Sequence, residues 1–145
     1  MLTKAEKALW VKTLREGKFP NGAPCEQARN VLDNNHGHYC CLGVACALFM
    51  PPYSRRVNAN GGVYYGINEY EEEKLYLPTS LQQKMGLDPS GSFSSRAFEG
   101  LPVLASFTSV EGDVVEAGTL ASANDNGVGF DKIADFIEKH LKTGD

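Results

Sequence analysis

A chain of 145 residues, 42% apolar and 22% charged, has the length of one ordinary domain and the composition of a globular protein. At this size roughly two-thirds of the unfolded surface is buried on folding, so a core needs no disulfide or metal staples. Fourteen basic against eighteen acidic residues leave a net charge of −4, which excludes the basic footprint of a protein that wraps extended nucleic acid. The longest apolar run, interrupted at Gly43 and stopped by Pro51 and Pro52, is too short for a membrane span, and Met1–Glu6 lacks the pattern of a secretory leader.

Thr3 followed by Glu6 has the spacing of a capping box, and Ala5, Ala8, Leu9, Val11 and Leu14 then recur at roughly helical intervals up to Gly17. This predicts a first helix over 3–16, with Trp10 at the margin of its buried face. A turn-rich connection over 18–23 leads to Arg29–Asp33, which reads as a short strand, and Asn34–Gly37 reads as a turn. Residues 40–49 are almost wholly apolar, as a buried central helix requires, and two prolines end it. Val63–Tyr65 is the clearest strand within 53–66, with Leu75–Leu77 as its expected hairpin partner across a long loop. Pro78 starts a helix that carries Leu81 and Met85 on one face and stops at Gly86. Residues 88–95, rich in serine with Pro89 and Gly91, have the composition of a linker. Leu101–Val110 fits a strand or part of a helix equally well. Phe130, Ile133, Ala134, Ile137 and Leu141 define a last helix with Lys139, His140 and Lys142 in its final turn, where cations favour the helix dipole. The expected fold is α+β, a single domain over 1–145 with about four helices, a buried central helix at about 40–49 and a small antiparallel sheet.

Four cysteines, Cys25, Cys40, Cys41 and Cys46, read as thiols, because the adjacency of Cys40 and Cys41 and the place of Cys46 in the same helix would strain internal bridges. Paired Cys-x-x-Cys or His-x-x-x-His spacings are missing, which leaves only a local set of His36, His38, Cys40 and Cys41 for a metal; neither a metal nor a cofactor is expected. The sharpest catalytic reading makes Cys40 or Cys41 a nucleophile at a helix N-terminus, where the dipole lowers a thiol's pKa, with His38 and Asp33 as local partners. Against it stands the ordinary role of buried cysteine in packing. Asn124–Gly127 resembles half of a calcium loop. With Gly127 at the sixth position, however, Ser122 and Ile133 occupy the first and twelfth, where carboxylates are needed. The remaining readings are a tight turn with Asn or Asp in left-handed conformation, or a polar site at which Asn124 and Asp125 contact a ligand. Arg55, Arg56, Tyr64 and Tyr65 beside the Asn58–Gly62 loop combine aromatic and cationic groups, as a nucleotide pocket or a protein contact requires. The acidic run Glu69–Glu73 reads as a solvated loop.

Trp10, Leu14–Gly22, Tyr39–Cys46, Leu77-Pro78, Met85–Leu87, Asn124–Gly127 and Phe130–Glu138 occur in an order that resembles a group of small proteins encoded by bacteriophages and prophages. The YCCLGV segment and the Asn-Asp turn before the IADFIE helix carry most of the resemblance. The group has Ser or Thr at the position of Gly129 and Glu at that of Lys132, a capping pair this chain lacks, so its last helix is expected to rest on packing. The resemblance implies a phage accessory protein in the cytoplasm of the infected bacterium and brings no reaction with it. Many such proteins act by binding. The expected function is therefore inhibition of a host or anti-phage defence component, through a protein partner or by sequestering a small signalling nucleotide. Arg55, Arg56, Tyr64, Tyr65, Asn124 and Asp125 are the expected contact residues, with no extended nucleic acid and no membrane as partner. A hydrolase or transferase using Cys40 or Cys41 and a structural phage protein are the alternatives, and homo-oligomerisation is left open.

Overall fold

Thr3 caps the first helix as its spacing requires: its hydroxyl accepts from the Glu6 N–H at 3.1 Å while Glu6 Oε1 accepts from the Thr3 N–H at 3.0 Å. The computed structural model describes residues 1–145. Helix α1 (Lys4–Glu16) ends at Gly17, whose φ of +67° is the left-handed terminus that glycine favours. Trp10 is fully buried and donates its indole N–H to the Cys41 carbonyl at 3.1 Å, which docks α1 on α2 (Cys41–Phe49). Helix α2 is central because it is apolar on almost every side, and Cys41 through Cys46 are all buried.

Helix α3 (Thr79–Met85) starts after Pro78, stops at left-handed Gly86 and turns Leu81 and Met85 inward. Helix α4 (Leu120–Asp125) bridges α2 and α5 (Phe130–His140), and α5 lies along α1. Arg15 closes that seam at its rim by holding Asp135 at 2.7 Å and Glu138 at 3.0 Å. One continuous core runs from Leu2 to Leu141. An aromatic cluster of Phe93, Phe98, Phe107 and Phe136 extends it toward the second hairpin.

The strands are short and lie around this helical core. β1 (Glu26–Gln27) pairs in parallel with β2 (His38–Tyr39), β3 (Arg55–Val57) pairs antiparallel with β4 (Val63–Tyr65), and β5 (Ala105–Thr108) pairs antiparallel with β6 (Val114–Ala117). The fold is α+β with five α-helices, four of them seven residues or longer. Its strands form two separate antiparallel hairpins and one parallel pair in place of a single sheet.

Several local expectations are corrected. Arg29–Asp33 is not a strand, because Asn30 is left-handed (φ +64°) and breaks the extension. β4 takes β3 as its hairpin partner, and across its other edge Tyr65 bridges to Glu73, so Leu75–Leu77 is not paired with it. Residues 88–95 are not a linker: Asp88 Oδ1 accepts from the Ser90 and Ser92 N–H groups at 3.2 and 2.8 Å, and Phe93 is buried. Asn124 and Asp125 end α4, which Thr119 caps; the left-handed residue is Gly127, with φ +93°. Leu101–Val110, whose sequence fits a strand or a helix equally well, takes the strand alternative as β5. The cap that α5 lacks in its own sequence comes from β1. Gln27 Oε1 accepts from the Phe130 N–H at 3.1 Å, while its amide donates to Asn124 Oδ1 at 2.9 Å and to the Val128 carbonyl at 2.7 Å.

Candidate functional site

The double-cysteine segment places Cys40 at the N-cap of α2, where its sulfur accepts from the Gly43 N–H at 3.4 Å. The Cys41 thiol points the other way, toward the Leu120 carbonyl at 3.7 Å. All four cysteines are buried and unbridged. Burial pushes the Cys40 thiol up to about 12 and the Cys25 thiol to about 11, and it holds Cys41 and Cys46 well above the ordinary range. Desolvation therefore outweighs the helix dipole that would have activated Cys40 or Cys41. The expected partners are also engaged elsewhere: His38 Nε2 lies 2.7 Å from Glu26 Oε2 and its Nδ1 lies 3.2 Å from the His36 carbonyl. The catalytic set of Cys40, Cys41, His38 and Asp33 is not assembled.

This burial has two measurable outcomes. Iodoacetamide at pH 8 is expected to alkylate every thiol of the folded protein about a hundredfold or more slowly than in urea; one cysteine reacting at its unfolded rate would return the nucleophile reading. Because the folded thiols stay protonated while unfolded ones ionise near 9, stability is fully present below that pH. It falls as pH rises from about 9 toward the Cys40 value of about 12.

Asp33 is the centre of a second cluster. Its side chain is 0% exposed, and its Oδ2 accepts from Arg55 Nε at 2.8 Å and from the Tyr65 hydroxyl at 2.7 Å. Its Oδ1 accepts from Arg55 Nη2 at 3.2 Å and from the Asn35 N–H at 2.9 Å. Burial, and then the Asp33 carboxylate, hold the Tyr65 phenol far above its ordinary range, and the same two causes raise Tyr39. Arg56 is spent on the neighbouring strap, where its Nη2 donates to the Glu71 carbonyl at 2.6 Å, and its Nε is buried without a partner. The cations read as ligand groups thus tie β3 to the 33–35 turn and to residue 71. Arg55 and Tyr65 do line a hollow with Tyr39, Met50, Pro51 and Pro52, but at about 240 Å³ it is smaller than the roughly 300–1,000 Å³ of ordinary ligand sites.

Asn124 is likewise structural. It is fully buried, its Oδ1 accepts from the Cys41 N–H at 3.2 Å, and its Nδ2 donates to the Ala28 carbonyl at 2.7 Å. Asp125 Oδ1 accepts from the Asn30 N–H at 2.8 Å. Together they fasten the 28–30 loop to the start of α2, which leaves Asn124 no surface to offer a ligand.

What the β3–β4 region does present is aromatic surface. Strand alternation sends Tyr65 inward and Tyr64 outward, where Lys74 Nζ sits 5.8 Å from its ring centroid. Around the same segment Tyr53 is 68% exposed and Tyr70 is 89% exposed, with Val57, Ile67, Leu75 and Tyr76 also open to solvent.

Residues 2–141 match the model of a family described as a domain of unknown function, DUF8296. The chain belongs to this family. The match takes in every helix and strand of the chain. No curated protein and no solved structure matches the chain. No helix is long and apolar enough to cross a membrane. No group of three or more His, Cys, Asp or Glu side chains is placed to hold a metal ion.

Of the contact residues expected from sequence, the fold brings Arg55 and Tyr65 together on Asp33 and leaves Tyr64 half-exposed beside Arg56, its cross-strand neighbour. It carries Asn124 and Asp125 to a different element. Tyr53, Tyr70 and Tyr76 were not among the expected contacts. Only Tyr70 carried a signal, a large aromatic between charged neighbours in Glu69-Tyr70-Glu71 with no core period around it; Tyr76, between Leu75 and Leu77, has the pattern of a strand, and Tyr53 follows Pro51-Pro52 with no period at all.

Proposed function

We propose that the protein is a non-enzymatic binding protein that engages a protein partner through the tyrosine-bearing face around β3 and β4. In the setting its phage resemblance implies, that partner is a host or anti-phage defence component in the cytoplasm of the infected bacterium. The observation that carries this reading is the exposure of Tyr53, Tyr70 and Tyr76 in the stretch of chain around β3 and β4, a hairpin that Asp33 ties down through Arg55 and Tyr65. Tyrosine is enriched among residues that dominate binding energy, and a rigid platform lowers the entropy lost on association. A nucleotide-sequestering role has weaker support, because Arg55 is neutralised by Asp33 and Arg56 holds a main-chain carbonyl.

The test is recovery of complexes from infected cells, read by native mass spectrometry, for the wild type and for a Tyr53→Ser, Tyr70→Ser, Tyr76→Ser variant. The wild type is expected to yield a defined protein complex. The variant should lose it by about tenfold or more while melting within a few degrees of the wild type, since surface changes of this kind cost little stability. Retention of the partner by the variant, or recovery of a nucleotide alone, would count against the proposal. Co-purification with virions would transfer the role to phage structure.

A further inference from the structure

The second hairpin, remote in sequence from the tyrosine face, has an unfilled edge. The Ser109 N–H donates to the Asp113 carbonyl at 2.8 Å, and the register places Thr108 opposite Val114, Phe107 opposite Val115 and Ser106 opposite Glu116. In an antiparallel pair the bonded positions alternate, so Phe107 and Ala105 bond to β6 while the N–H and C=O groups of Ser106 and Thr108 point away from it. No bond from outside the hairpin reaches those groups.

Along this edge runs a groove of about 310 Å³ between β5 and α5, lined by Ser106, Phe107 and Thr108 on one side. On the other side stand Lys132, Asp135, Phe136, Lys139 and His140, whose spacing makes them one stripe of the helix. The floor is apolar: the Phe107 and Phe136 rings lie 5.2 Å apart, and His140 sits against Phe136 at 4.7 Å. The charge on the helical wall is unbalanced. Arg15 already occupies Asp135, whereas neither Lys132 nor Lys139 is in an ion pair.

We propose that this groove binds an extended acidic peptide segment, which adds as a third strand to the edge of β5 with its carboxylates toward Lys132 and Lys139. Main-chain bonds to Ser106 and Thr108 supply affinity, and alternate side chains supply selectivity, with apolar ones on the Phe107–Phe136 floor and acidic ones on the lysine wall. A second copy of this chain fits less well, since pairing two β5 edges brings two lysine walls together. The inference concerns a different face from the tyrosines and stands or falls separately from them.

The experiment titrates the full-length, ¹⁵N-labelled protein with an acetylated, amidated Glu-Val-Glu-Val-Glu-Val-Glu peptide and follows amide shifts and hydrogen exchange. Saturable shifts centred on Ser106 and Thr108, with slowed exchange of their amides, are expected. A Lys132→Glu, Lys139→Glu variant should bind about tenfold more weakly or worse. Its unchanged amide spectrum outside the groove would show that it is folded. The proposal is overturned if shifts fail to saturate or lie elsewhere. It is equally overturned if a Lys-for-Glu peptide or a backbone N-methylated peptide binds as well. Concentration-dependent dimerisation that perturbs the same amides without peptide would assign the edge to a second copy instead.

Discussion

Replacing Asp33 with alanine is expected to destabilise the protein by about 3–4 kcal/mol in urea denaturation, among the largest effects of any polar substitution in the chain. The fully buried carboxylate serves Arg55, the Tyr65 hydroxyl and the Asn35 N–H together. Its loss strands a phenol inside the core, at roughly 1–3 kcal/mol for a buried group left without a partner. It also removes the counter-ion of a guanidinium whose side chain is 35% exposed and can turn partly to water, which keeps the total toward the lower end for a broken buried pair. Arg55→Met should cost as much or more, because the member left behind is then the one with no exposure at all. The double variant is expected to lose clearly less than the two single losses combined, since each single change leaves a charge that the other removes. Additive losses would mean that Asp33 and Arg55 act independently, and the platform under the tyrosine face would then need another explanation.

This cluster also marks where sequence legibility stopped. The helices announced themselves through local signals: Thr3 with Glu6 and Gly17 bounded α1, Pro78 and Gly86 bounded α3, and the spacing from Phe130 to Leu141 gave α5. Each signal is chemistry between near neighbours, which a sequence displays directly. The pairing of Asp33 with Arg55 and Tyr65 has no such signature, because the turn at 33–35 meets β3 and β4 only after α2 has folded between them in sequence. The two-residue strands β1 and β2 are too short for any alternation to register. Helix α4 read as a turn because its polar end, Asn124-Asp125-Asn126-Gly127, is turn chemistry that the fold uses to stop a helix. The split between Tyr64 and Tyr65 was within reach, since adjacent strand residues must face opposite ways. Tyr64 and Tyr65 therefore cannot share one contact surface, and Tyr65 belongs to the core.

The YCCLGV segment is better explained by its glycine than by its cysteines, and Gly43→Ala is the change expected to show it. In an ordinary helix interior this substitution stabilises by about 1 kcal/mol, through reduced backbone entropy. Here a Cβ on residue 43 would overlap the Leu32 carbonyl oxygen and lie 3.0 Å from the Leu32 Cα. The obstacle is main chain, so no rotamer change relieves it. Leu32 cannot retreat freely either, because its N–H donates to the Lys74 carbonyl at 3.0 Å and the preceding Val31 carbonyl accepts from the Cys40 N–H at 3.2 Å. Helix α2 must therefore move off the 31–33 segment, opening the contacts of Cys41 with Trp10 and Asn124 and shifting Asp33 away from Tyr65. The expected loss is about 4 kcal/mol, overpacking against backbone combined with damage to the buried network, or roughly 10–15 °C in melting temperature for a domain of this size. Leu48→Ala, on the half-exposed C-terminal part of the same helix, should cost far less. A Gly43→Ala variant that melts at or above the wild type would mean that α2 does not rest on Leu32, and both the buried-thiol account and the Asp33 platform depend on that contact.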